Sequence, residues 1–81
     1  MPTVIALKDV LADLRGDPAL KRLPDNASVL SDVGLDSLEL LQFMLEIEAS
    51  LAVEVDFERL SYEHLESLVD LAAFVDSMPR Q

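Results

Sequence analysis

The sequence predicts an all-α domain, a bundle of three longer helices and a short third helix with a long loop between the first two. Three observations predict it. Apolar residues recur at three- and four-residue steps in three separate stretches, the spacing that lays one stripe along a helix. The one segment rich in β-branched residues, Val53-Glu54-Val55, is too short to stand as an independent strand. The chain has 81 residues, of which 51% are hydrophobic and 27% charged, a balance that suits one globular core and leaves no room for a second.

The first helix is predicted over residues 3–15, where Val4, Leu7, Leu11 and Leu14 make the stripe. Gly16 stops it and Pro18 lies just beyond. Residues 16–36 then form a loop rich in glycine, proline and short polar side chains. A loop of this length is unusual in so small a domain, and such loops often carry function. Leu20, Leu23, Val29, Leu30, Val33 and Leu35 can anchor it on the core, and a helical turn is possible near 18–22.

The second helix is predicted over about 36–51. Asp36 and Glu39 form the Asp variant of a capping box. Leu40, Phe43, Met44, Ile47 and Leu51 face the core in this reading. Glu39, Gln42, Glu46 and Glu48 face away, and Leu41 and Leu45 fall between the two sides. Residues 52–56 are read as an extended connector, 57–60 as a short helical turn, and about 63–77 as the last helix. That helix carries Leu65, Leu68, Val69, Ala72 and Val75 on one face and ends before Pro79. No repeat or linker divides the chain, so residues 1–81 are read as one domain.

Charge and composition narrow the function. The net charge of −10 is uneven: residues 1–31 hold four acids and four bases, whereas 32–76 hold twelve acids against Arg59 alone. Such a field repels nucleic acid and anionic membranes and favours partners with basic patches. No apolar run approaches the roughly 20 residues that span a bilayer. The N-terminus lacks a basic start and a small-residue cleavage site. With no cysteine, the chain has neither disulfides nor a thiolate metal site. A cytoplasmic, monomeric protein is expected.

Most catalytic chemistry is missing. His64 is the only histidine, so no serine–histidine pair or histidine metal cluster assembles readily; no metal site is expected. Gly16 and Gly34 are the only glycines, which excludes a glycine-rich phosphate loop. His64 is read as exposed near a helix start, and Tyr62 as packing. Ser37 differs. With Asp36 at the N-cap, Ser37 is the first helical residue, beside free backbone N–H groups at the positive end of the helix dipole. An attached phosphate is favoured there. Serine is also common near helix starts for capping alone, and Ser28, Ser31, Ser50, Ser61, Ser67 and Ser77 are read as ordinary serines of that kind.

Val33-Gly34-Leu35-Asp36-Ser37-Leu38-Glu39-Leu40 resembles the attachment motif of acyl carrier proteins. The similarity runs from about Leu30 to Val75 and takes in the apolar helix after the serine, the Val53-Glu54-Val55 segment and the last helix. It implies an acyl-carrier-like four-helix bundle that is a carrier and not an enzyme. It also implies that Ser37 receives 4'-phosphopantetheine from coenzyme A through a phosphodiester, added by a separate phosphopantetheinyl transferase. The arm's thiol then holds an acyl group as a thioester. Gly34, Leu35, Asp36 and Leu38 match the motif around the serine. The family's recognition helix maps to Asp36, Glu39, Leu41, Gln42, Leu45 and Glu48, which are expected to meet acyl-loading, acyl-transfer or condensing enzymes with basic patches.

Some positions depart from that pattern. Gln42 and Ala49 stand where acids are frequent, Ala52 where glycine is frequent, and Asp56 where proline is. These departures favour a specialised pathway such as polyketide assembly over housekeeping fatty-acid synthesis. Two alternatives stay open: a stand-alone aminoacyl or peptidyl carrier, and an acidic helical interaction module without a cofactor.

Overall fold

Helix α1 spans Pro2–Arg15 in the computed structural model, which describes residues 2–81. Its stripe is buried as the spacing predicts: Val4, Leu7 and Leu11 lie in the core and Leu14 packs at its edge. Gly16 ends the helix at φ +63°, where a side chain would be strained. The Asp17 N–H then reaches back to the Ala12 carbonyl at 3.0 Å, satisfying a carbonyl that the helix leaves open.

The long loop is tied down rather than structureless. A 3₁₀ turn, Pro18–Arg22, is capped by Asp17, whose carboxylate accepts from the Ala19 N–H. Val29 and Leu35 are buried, while Leu20, Leu23, Leu30 and Val33 pack against the core. Ala27, not anticipated from the sequence, is buried as well. Ser28 Oγ accepts from the N–H groups of Leu30 and Ser31, and Asp32 accepts from the Ser28 N–H. These side chains satisfy backbone groups that a helix or sheet would otherwise pair.

Helix α2 spans Ser37–Leu51, with Asp36 as its N-cap. Phe43, Met44 and Ile47 are fully buried, and Leu40 and Leu51 pack at the core's margin. Ala52 closes the helix in the left-handed region at φ 52° and ψ 51°.

The C-terminal third differs from the sequence reading in three ways. The turn expected at 57–60 is not helical; the Arg59 N–H donates to the Asp56 carbonyl and the Glu58 N–H to the Asp56 carboxylate. The short helix is α3, Tyr62–Leu65. The last helix expected from about 63 starts only at Leu68, as α4, Leu68–Asp76. Long-range bonds decide the break. The N–H groups of Leu68 and Val69 donate to the carbonyls of Ala27 and Asp25 in the loop, at 2.9 and 3.0 Å. Ser67 caps the restarted helix by accepting from the Asp70 N–H.

Three side chains are corrected with that break. Tyr62 is 77% exposed rather than packed, and Val69 is 39% exposed because α4 turns Leu71 and Phe74 inward instead. His64 is half-buried: its ring stacks on Phe74 with centroids 4.4 Å apart, and its Nδ1 accepts from the Ser61 N–H.

Helix α1 packs against α2 and α4, and α3 packs against α4. The connector after α2 is extended, with Val53 and Val55 buried. It pairs with the tail: the Glu54 N–H donates to the Pro79 carbonyl and the Gln81 N–H to the Ala52 carbonyl, both at 2.9 Å. An isolated antiparallel bridge, Val53 to Arg80, sits between them.

Candidate functional site

Asp36 holds an extended backbone conformation, and its carboxylate accepts from the Glu39 N–H at 2.8 Å. Glu39 returns the bond, accepting from the Asp36 N–H at 3.3 Å. The capping box read from the sequence is therefore formed. An α-helix leaves its first four N–H groups without intrahelical partners. Here Asp36 and Glu39 satisfy each other's, which leaves those of Ser37 and Leu38 open. Since Asp36 supplies the cap, the Ser37 hydroxyl is not spent on it, and Ser37 is exposed.

The loop before the serine is set by backbone geometry and by α1. Gly34 lies at φ +78° and makes the last bend before α2. The Leu35 N–H donates to the Val29 carbonyl at 3.0 Å, and the Leu35 side chain is buried, which roots the motif in the core. Arg15, the last residue of α1, reaches across. Its Nε lies 2.7 Å from Glu39 Oε2, and its Nη2 donates to Glu39 Oε1 at 3.2 Å. The same Nη2 donates to the Gly34 carbonyl at 3.1 Å and the Val33 carbonyl at 3.4 Å. Neither Arg15 nor this role was anticipated from the sequence. Its position at a helix end, opposite a one-signed acidic segment, is the only signal there was.

Beyond Ser37, α2 carries an exposed apolar ridge. Leu38, Leu41 and Leu45 are 64%, 48% and 50% exposed, at spacings that align them along one side of the helix. Gln42 is exposed between them. Two expected contact residues are engaged within the molecule instead. Glu39 is held by Arg15, and Glu48 accepts from the Val55 N–H at 2.9 Å. Asp36, Leu41, Gln42 and Leu45 remain outward-facing. A cleft of about 180 Å³ opens between α2 and α3, lined by Leu40, Leu60, Ser61, Tyr62 and Leu65. Among the described residues, no group of acidic or histidine side chains could hold a metal ion, and no helix is long and apolar enough to cross a membrane.

An exposed hydroxyl at a helix start that is capped by another residue suits a group-carrying domain. The family described as phosphopantetheine attachment site matches residues 6–75, nearly the whole chain. The chain belongs to that family of carrier domains, and the prosthetic group it implies is a covalently attached phosphopantetheine. Two proteins of Brachyspira hyodysenteriae named acyl carrier protein are each 25% identical to it over 76 residues, covering 94% of this chain and 95% of theirs. No solved structure is a significant match. The start of α2 suits an anionic group of this kind: the capping box leaves the Ser37 and Leu38 N–H groups without intrahelical partners at the positive end of the helix.

Proposed function

We propose that Ser37 is the attachment residue, and that the chain carries acyl intermediates as thioesters on the arm. The exposed, non-capping Ser37 at the first position of α2 carries this reading. The phosphopantetheinyl transferase supplies the chemistry: the serine oxygen forms the new bond to the arm's phosphorus and loses its proton. The nucleotide half of coenzyme A departs as the leaving group. The chain's own residues present the hydroxyl and order the turn that holds it. They make this protein a carrier rather than a catalyst.

The α2 surface supports a specialised pathway, polyketide-like, over general fatty-acid synthesis. Acids are absent at Gln42 and Ala49, and Glu39 and Glu48 are occupied internally. Partners then meet the leucine ridge first, with the surrounding acidic field steering their approach. A small interface of this kind would suit brief, repeated encounters.

The test is the intact mass after incubation with coenzyme A and a broad-specificity phosphopantetheinyl transferase, beside Ser37→Ala. One phosphopantetheine gained by the wild type and none by the variant is the expected result. No gain by a folded wild type, while a control carrier is modified, would leave the cofactor-free interaction module as the better account. Loading enzymes for malonyl, fatty acyl and aminoacyl groups, offered to the modified protein, then identify the cargo.

A further inference from the structure

A residue from a different helix is bonded to the segment that carries the serine. Four backbone positions around Ser37 are tied into one network. Val33 and Gly34 give their carbonyls to the Arg15 guanidinium. Asp36 and Glu39 close the capping box, and the Glu39 carboxylate is gripped through both oxygens by the same guanidinium. Arg15 is thus joined to the segment on both sides of Ser37. The loop's own ties include the Asp32 and Val33 N–H groups to the Ser28 carbonyl and the Leu35 N–H to the Val29 carbonyl, and Arg15 is the link from these to the first turn of α2.

Geometry explains why arginine fits. A guanidinium offers donors in a fixed planar fork, so two can meet a carboxylate while one is shared with a carbonyl. An ammonium is a single point of charge and cannot span the Glu39 carboxylate and two carbonyls together. The Arg15 and Glu39 side chains are only 32% and 29% accessible, so the pair is partly shielded from water and screening.

We propose that Arg15 is a positioning residue for modification of Ser37: it fixes the Val33–Asp36 bend and the first turn of α2, so that the hydroxyl is presented in one orientation. The proposal rests on Ser37 being the attachment residue. Arg15 acts through the loop and the capping box and needs no contact with the transferase. It affects the chemical step more than docking, because the leucine ridge that a partner meets is untouched. Misplacing a reacting group by a fraction of its length lowers turnover without weakening binding.

The experiment measures transfer of phosphopantetheine from coenzyme A as a function of carrier concentration, at fixed salt, for wild type, Arg15→Ala, Arg15→Lys and Val4→Ala. Val4 is buried about 16 Å along α1 from Arg15, so its truncation lowers stability without touching the network. Circular dichroism verifies that each variant is folded at the assay temperature.

For Arg15→Ala, kcat is expected to fall about 10-fold, with the KM for the carrier changed less than about twofold. Arg15→Lys should fall with it, and Val4→Ala should transfer at the wild-type rate. A wild-type rate in Arg15→Lys would overturn the proposal, since charge alone would suffice. So would a loss confined to KM, which marks direct docking, or an equal loss in Val4→Ala, which marks general destabilisation. If wild type is not modified at all, the assignment of Ser37 fails and the role of Arg15 fails with it. If wild type is modified and both Arg15 variants match it, only the role of Arg15 fails.

Discussion

Ala52 shows how a single backbone angle is expressed as stability. It stands at φ 52° without being glycine, in a region that costs an L-residue about 1–2 kcal/mol. Glycine removes that cost but gives the unfolded chain about 0.4–1 kcal/mol of extra entropy. Ala52→Gly should therefore stabilise the domain by about 0.5–1 kcal/mol, read as a shifted urea midpoint at unchanged slope. A loss of stability would show that the left-handed cap is not strained. In the core, Phe43 and Ile47 are fully buried, and truncating either to alanine should cost about 2–5 kcal/mol in the same measurement. These two were legible from spacing alone. Tyr62 and Val69 were not: both are apolar enough to be assigned inward, and only the actual start of α4 turns them out.

At the scale of elements, α1 and α2 were readable because long stripes and explicit end signals agree: Gly16 for one, Asp36 and Glu39 for the other. The α3–α4 break was not readable. Its cause lies some forty residues away, in the carbonyls of Asp25 and Ala27. The site was legible in its serine and cap and illegible in Arg15, whose partners lie across the fold. The cap itself is testable: Asp36→Ala should cost about 1 kcal/mol, measured by thermal melting. Acid reports on the tie between α1 and the loop. Lys8 donates to Asp25 at 2.7 Å, and this bond, then the charge of Lys8, lowers the Asp25 carboxyl below its ordinary 3.8. A lowered folded value means the pair stabilises the fold above pH 3.8 and loses that effect as pH falls through the lowered value. The stability difference between wild type and Lys8→Met should accordingly shrink as pH drops below that point. A constant difference would mean that the pair is idle.

For the molecule as a whole, repulsion opposes packing. The net charge of −10 is carried on a body of only 30 × 24 × 21 Å. At about 10 mM salt the screening length is roughly 30 Å, so nearly every acid feels every other; at about 150 mM it is roughly 8 Å. The melting temperature should rise across that range, and a flat response would show that the acids are already well separated. The size and all-α class followed directly from length and periodicity. The path of the tail did not: Pro79–Gln81 pairs with the connector after α2, and no pattern in those three residues announces a partner.

That pairing, together with the loop contacts of α4, divides the chain into fastened and unfastened stretches. Val55 is tied to Glu48 on one side, and Leu68 to Ala27 on the other. Between them, Leu65 is buried and its carbonyl accepts from Ser28 Oγ, and His64 stacks on Phe74, whereas the backbone bond of Arg59 reaches only three residues back. Residues 57–62 are therefore the least fastened part of this stretch, and their local opening is expected to cost less than global unfolding. Leu60, Ser61 and Tyr62 of this stretch wall the cleft beside Leu40, so outward movement of the stretch would widen it.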